Sequence, residues 1–456
     1  MKRIFLIAFS LFFVLVFKIN AQEVTTDEKL SELKDQVNGI NERLTITEGD
    51  VSKLSKIKIS GYVQGQYQYF ESPSLQSTSA NYFSIRRARL KVVYEAADGI
   101  KFVLQPDFVP GAISMREAYA VLNDRWTKSF SLWAGKFNRP NYEVEYSSSQ
   151  LDMLERAMVI RTLYPGEYAI GAKLEFNPLN VPIHVQLALF NGADGLTINN
   201  SSGANMNTVE NRDFDNFKDV MARVTYNLTL GSFGGLDFGA HGYFGSLKSY
   251  STATLGSDYT TLESIGFGEP VKRNWLGGEF QLFADVLGGM SLKGEYISGQ
   301  NATIGFAPVA ATGSAAAVPG VANFQNNFTG YFVYFIKNLG KNNQFAFRYD
   351  YYDPNTDLSG DEIGVTKFTP ADPTVLKSKT SGKNDLAYNT FGFAFHHYFD
   401  EHVRVSLAYE IVRNETVGTP GKVVDNYHDA HGAPVVADYS DVINQNVLTL
   451  RVQAKF

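Results

Sequence analysis

From Ile57 to the C-terminus, apolar residues return at every second position. Examples are "KIKISGYVQGQYQYF" (56–70), "RARLKVVYE" (87–95), "QFAFRYDYY" (344–352), "NTFGFAFHHYF" (389–399) and "HVRVSLAYEIV" (402–412). Successive side chains of an extended chain point to opposite faces. Phe391, Phe393 and Phe395 therefore share a face, and Arg404, Ser406, Ala408 and Glu410 lie opposite Val403, Val405, Leu407, Tyr409 and Ile411. The last run, "VLTLRVQAKF" (447–456), sets Leu448, Leu450, Val452, Ala454 and Phe456 against Thr449, Arg451, Gln453 and Lys455. Turn-like clusters such as "NLGKNN" (338–343) join neighbouring runs, and longer polar or small-residue segments lie near 191–218, 299–327, 353–387 and 414–444. Short turns alternating with long loops characterise an outer-membrane barrel, and roughly 400 residues at about 25 per strand and loop give about 16 strands. A soluble sheet with one wet face shares the alternation, but a soluble barrel fills its interior with apolar groups. Here the second face carries Arg, Lys, Glu, Asp and Gln. The pattern predicts an all-β, transmembrane antiparallel β-barrel, apolar face in lipid and polar face lining water.

Residues 27–55 follow a different period. Leu30, Val37, Leu44 and Val51 recur every seventh position, with Leu33, Ile40, Thr47 and Leu54 between them. This heptad pattern predicts a short N-terminal helical coiled coil; a single amphipathic helix lying on the protein body is the alternative. The opening "MKRIFLIAFSLFFVLVFKINAQ" has a basic start, an apolar run and a small residue, Ala21, suited to cleavage, and is expected to be a signal peptide over 1–21. An uncleaved anchor is the rival, for which the run is short. The expected organisation is thus signal 1–21, periplasmic helical segment 22–56 and barrel 57–456. Removing the three basic residues of the signal leaves 38 Lys and Arg against 47 Asp and Glu, taking the formal charge from -6 to -9. An exported acidic chain is not expected to bind nucleic acid. There are no cysteines, which excludes disulfides, Cys-based metal sites and a Cys nucleophile.

Several stretches resemble the phosphate-selective porin O and P family. They are "SGYVQGQY" (60–67), "NYFSIRRARLKVVYE" (81–95), "FVLQPDF" (102–108), "REAYAVL" (116–122) and, most densely, "AGKFNRPNYEVEYSSSQLDMLERAM" (134–158). The last matches the family's G-[KR]-F…P…E…ER pattern. The leading coiled coil resembles members from Bacteroidota-like bacteria. The resemblance covers nearly all of 57–456 and implies an integral protein of the Gram-negative outer membrane, a homotrimer of 16-stranded barrels, each with its own pore. A loop after the GKF segment, near 141–165, is implied to fold into the lumen as a constriction. The RRA motif, here Arg86 and Arg87, is implied to bind anions such as phosphate. The terminal Phe456 resembles the signal read by the barrel assembly machinery.

Alternation adds detail and a difficulty. With Leu90, Val92 and Tyr94 outward, Arg87, Arg89 and Lys91 point inward and Arg86 outward, unless a bulge or a subunit contact intervenes. The expected pore-wall groups are Arg86, Arg87, Arg89, Lys91, Lys101, Asp107 and Glu117, with Glu145, Glu155 and Arg156 as loop anchors. Two family basic positions are occupied by Tyr62 and Tyr146, and an arginine ladder along one later strand has no match, Lys272 and Arg273 being the nearest cluster. Rings of charge set the sign of a passing ion, so these departures weigh against phosphate selectivity. The wall charges could equally satisfy one another along a hydrated surface. No Walker loop, G-x-S-x-G elbow or HExxH motif occurs, and no enzyme or cofactor is expected. His428 and His431 in "YHDAHGA" (427–433) have a spacing that could hold a metal but lack a further ligand, so no metal site is expected. The expected function is a water-filled diffusion channel for small hydrophilic solutes; a plugged barrel anchoring through its stalk is the alternative.

Overall fold

The computed structural model describes residues 26–72, 80–192, 196, 213, 215–310, 317–428 and 434–456; the expected signal segment 1–21 and His431 lie outside them. The chain divides into two units, Met1–Lys58 and Ile59–Phe456. In the first, one continuous helix, α1, runs over Thr26–Ser55. Its heptad residues Leu30, Leu33, Val37, Ile40, Leu44, Val51 and Leu54 are all exposed in the single chain. Thr47 in this row donates its hydroxyl to the Arg43 carbonyl one turn back.

From Ile57 on, the described residues form sixteen long strands: β1 Ile57–Phe70, β2 Asn81–Ala97, β3 Ile100–Val109, β4 Ala112–Asn123, β5 Phe130–Asn138, β6 Tyr168–Phe176, β7 Ile183–Phe190 and β8 Asp219–Thr229, then β9 Gly234–Lys248, β10 Pro270–Ala284, β11 Met290–Thr303, β12 Asn323–Leu339, β13 Asn343–Asp353, β14 Tyr388–Tyr398, β15 Val403–Asn414 and β16 Val447–Lys455. Each is antiparallel to its neighbour, and β16 pairs with both β15 and β1, which closes the sheet. At the seam Gly61 and Phe456 exchange backbone hydrogen bonds at 3.0 Å in each direction. Closure removes the free edges that would otherwise leave backbone groups unpaired in hydrocarbon. The connections alternate as expected except between β3 and β4, which only Pro110 and Gly111 join at the long-segment end. The turns after β2, β4, β6, β8, β10, β12 and β14 are short, whereas the other end carries long segments including 139–167, 249–269, 354–387 and 415–446.

The outer surface is apolar. Val63, Phe102, Leu104, Leu132, Leu187, Val224, Leu276, Phe393, Leu407, Leu450 and Val452 are exposed on successive strands. Near the short turns, aromatic side chains pair across strands: Tyr94 with Phe102, Phe130 with Phe176 and Tyr226 with Phe238. Such a row is the girdle of a barrel at the lipid–water boundary. The inner face differs from the uniformly polar, wetted wall that alternation predicts. Phe190, Tyr243, Trp275, Phe328, Phe332 and Tyr334 point inward from β7 to β12 and form a core with Val144, Met153, Ile160, Leu163 and Tyr164 of segment 139–167. A segment entering the lumen needs an apolar surface to dock on, and this sector of the wall supplies it.

Candidate functional site

Segment 139–167 joins β5 to β6. Shortly before it, within β5, Gly135 of the GKF stretch takes φ +129, a conformation that other residues avoid; a Cβ there would stand 2.2 Å from the Ala118 carbonyl oxygen. Two short helices follow, α2 (Tyr142–Glu145), capped by the Asn141 side chain, and α3 (Met158–Leu163). Between them the backbone is irregular, and its carbonyls would be buried without partners. Inward-facing wall side chains meet six of them. Gln64 donates to Ser148, Gln453 to Ser149, Arg404 to Leu151, Arg451 to Leu154 and Arg348 to Glu155, at 2.6–3.2 Å. His396 Nε2 lies 2.7 Å from the Asp152 carbonyl, which can only accept, so that nitrogen carries the proton and Nδ1 accepts from Ser406. Groups from β1, β13, β14, β15 and β16 thus satisfy a non-helical backbone inside the barrel, which is what buried polar groups require.

The expected anchors divide into three kinds. Glu155 reaches the wall: Arg86 grips it with two bonds of 2.8 Å, Arg451 adds one of 2.7 Å and Arg87 stands at 3.4 Å. Burial alone would raise its carboxyl, but Arg87, Arg86 and Arg451 hold it well below the usual carboxylate range. Glu145 pairs with Arg223 of β8 at 2.5 Å, on a different sector. Arg156 binds its own segment, through the Glu143 and Tyr146 carbonyls and the Glu167 carboxylate at 3.0 Å. Burial raises the Glu167 carboxyl while Arg156 lowers it, with a net downward shift.

The wall residues correct the strict-alternation reading of Arg86. Phe83 and Ile85 face outward on β2, yet Arg87 and Arg89 are buried inside, so the phase changes between Ile85 and Arg87. Both Arg86 and Arg87 thereby reach Glu155. A second break lies between β3 and β4, where the register shifts at Gln105/Pro106. It brings in Arg116, absent from the sequence-based set, beside Glu117. Asp107 then bridges Arg89 at 3.1 Å and Arg116 at 3.2 Å, and Lys91 pairs with Glu117 at 2.7 Å. Bulges re-aim side chains in this way. Lys101 stands at the strand end, exposed, 4.0 Å from Glu95. Tyr62 does point inward and packs near the Arg89 guanidinium, 6.0 Å from its ring, as does Tyr168 at 5.9 Å. Tyr146 leaves the basic sector and donates to Gln281 of β10 at 2.7 Å. Lys272 and Arg273 form no ladder: Arg273 is buried over Tyr243 and Trp275, and Lys272 is exposed.

A cavity of about 210 Å³ remains between β2–β4 and the segment. Arg86, Arg87, Arg89, Arg116, Arg156 and Arg161 line it, against the acidic groups Glu155 and Glu167. Arg161 also lines a larger space of about 940 Å³ bordered by Tyr259, Phe324, Lys379 and Asp385 toward the long-loop end. Arg161 is thus common to the lining of both spaces. Arginine planes are matched to oxyanions, and Glu155 and Glu167 are the oxyanions that meet them here.

Residues 57–231 match the family model of phosphate-selective porin O and P. No curated protein matches the sequence. Among solved structures, the chain is similar to the anion-selective porin of Comamonas acidovorans (10% identity, 88% of this chain and 99% of that chain, TM-score 0.49). It is also similar to the outer-membrane channel DcaP of Acinetobacter baumannii (11%, 88% and 97%, 0.49) and to the trimer form of OmpT of Vibrio cholerae (9%, 88% and 99%, 0.47).

Proposed function

We propose, on the premise that the chain belongs over residues 57–231 to the phosphate-selective porin O and P family, that this integral outer-membrane barrel is a diffusion channel for small hydrophilic solutes with a preference for anions. The observation that carries the reading is the imbalance of the inner cavity, six guanidiniums against Glu155, Glu167 and, behind Arg89 and Arg116, Asp107. A field of one sign focused in a narrow, low-dielectric passage sets which ion passes. Segment 139–167 acts as the constriction, docked on the aromatic sector of β7–β12 so that the remaining passage runs beside the arginines. Asp107 tempers the field by pairing Arg89 and Arg116, which favours passage over tight capture. Tyr62 and Tyr146 stand where the family places basic groups, which points to small anions in general rather than to phosphate. The reading is not enzymatic.

The remaining expectations complete this proposal. Residues 1–21 direct export and are removed, and 57–456 form the membrane domain. The segment 22–56 joins a homotrimer through its exposed heptad row, on the periplasmic side. Phe456 presents the barrel to the assembly machinery. A second reading, a plugged barrel serving as an anchor, draws on the ring of contacts around segment 139–167, which reach strands from β7 to β16 and on to β2. Planar-bilayer recording separates the two. In a tenfold KCl gradient, stepwise conductance with a chloride-directed zero-current potential is expected. Absence of steps would favour the anchor, and a potassium-directed potential would overturn the anion preference.

A further inference from the structure

Across the barrel from the arginine cavity, three ligand-type side chains converge from adjacent strands. His241 of β9 lies opposite Gly277 of β10, and Glu279 of β10 lies opposite Glu295 of β11. His241 Nε2 is 3.4 Å from Glu295 Oε1, and its Nδ1 is 4.0 Å from Glu279 Oε2. One ligand atom from each residue falls within 4.8 Å of the others. All three are buried, with His241 4% exposed and Glu295 3%. Both imidazole nitrogens and Glu295 Oε2 have no hydrogen-bond partner. The ring rests on Gly277, where a Cβ would approach its Cε1 to 2.3 Å, so the strand is shaped to admit it.

The charge count shows what is missing. Arg223 pairs with Glu279 through two bonds of 2.6 and 3.0 Å and with Glu145 at 2.5 Å. Glu295 receives only the neutral Asn141 amide, at 2.5 Å. With a neutral imidazole, the buried Glu279 is matched by Arg223, which also serves the part-exposed Glu145, and the buried Glu295 has no cation of its own. Uncompensated charge is costly in such a place. Bound to one ion at about 2.1 Å each, tetrahedral ligand atoms stand about 3.4 Å apart, and one nitrogen with carboxylate oxygens suits a first-row divalent cation.

We infer that His241, Glu279 and Glu295 bind one such cation, with Zn²⁺ as the representative ion. Arg223 orients Glu279 as an outer partner. Asn141, hydrogen-bonded to Glu295, couples the ion to the start of segment 139–167, so the metal pins that segment to the wall opposite the arginines. The inference does not depend on whether the lumen conducts.

The test uses full-length mature protein refolded in detergent, freed of metal by chelator dialysis, with His428→Ala and His431→Ala to remove the loop histidines. Calorimetric titration with Zn²⁺ is expected to give one equivalent per chain, and Co²⁺ is expected to give visible bands of a low-coordinate nitrogen–oxygen site. His241→Ala and Glu295→Gln, each checked for folding by heat-dependent gel mobility, should weaken Zn²⁺ by about 100-fold or more. The Co²⁺ spectrum of the otherwise unaltered site keeps the inference testable if either substitution prevents folding. No Zn²⁺ uptake by the folded protein, or uptake indifferent to both substitutions, overturns it and leaves a neutral His241 beside an uncharged Glu295 carboxyl as the account of the trio.

Discussion

Glu155 is the point where the wall and the inserted segment exchange charge. Its depressed carboxyl has a definite consequence for acid stability. A carboxylate whose pKa falls on folding stabilises the folded state fully above its unfolded value, about 4.3, and loses that contribution only as pH drops through the folded value. The barrel is therefore expected to keep its heat-dependent gel mobility at pH 4, whereas Glu155→Gln, which leaves Arg86, Arg87 and Arg451 facing a neutral group, should lower its melting temperature at pH 7 and at pH 4 alike. In bilayers the same variant should shift the zero-current potential further toward chloride. Arg116→Gln should shift it the other way, by several millivolts, because it removes a cavity guanidinium while Arg89 still pairs with Asp107. Asp107→Ala strands the buried Arg89 and is expected to cost about 3–5 kcal/mol in denaturant melts, the usual penalty for breaking a buried pair. Arg87, Arg89 and Asp107 were legible because period two assigns them a face. Arg116 was not, because the register break that turns it inward leaves no trace in the spacing of apolar residues. A signal was nonetheless there. "RR" at 86–87 and "RE" at 116–117 place consecutive charges on a membrane strand, where one of each pair would otherwise meet hydrocarbon, so both mark a bulge.

At the scale of elements, the strands follow from the sequence and the inserted segment does not. Alternation says which side of β13, β15 and β16 carries Arg348, Arg404 and Arg451. It does not say that these arginines meet the carbonyls of residues 151–155 rather than water. Those partners are hundreds of positions apart and are set by barrel closure. Nor does alternation separate an inward aromatic from an outward one. Tyr243 and Trp275, stacked 3.9 Å apart, occupy inward positions because Tyr164 of the segment needs a surface, and Trp275 donates to its hydroxyl at 2.9 Å. Gly135, by contrast, was visible within the GKF stretch, and its positive φ explains why glycine stands there. Gly135→Ala is expected to lower the folded yield or destabilise by about 2–4 kcal/mol, since both the backbone conformation and the contact with Ala118 oppose a Cβ. Refolding yield from inclusion bodies, read by gel mobility, checks this. Normal yield would mean that β5 can bend elsewhere.

For the molecule as a whole, two units are expected to do separable work. Deleting residues 22–56 should leave the conductance of each channel unchanged while lowering the temperature at which detergent-stable oligomers dissociate, because the apolar heptad row is exposed. On the channel reading, water runs from the large outer cavity to the arginine-lined one past Arg161, which lines both. The absence of cysteine from the sequence permits a clean test. Arg161→Cys is placed in a planar bilayer and exposed to thiosulfonate reagents of either charge. Stepwise loss of current, faster with the anionic reagent than with the cationic one, is the predicted result. A thiol that stays unmodified from both sides, with current unchanged, would contradict a conducting path beside the arginines.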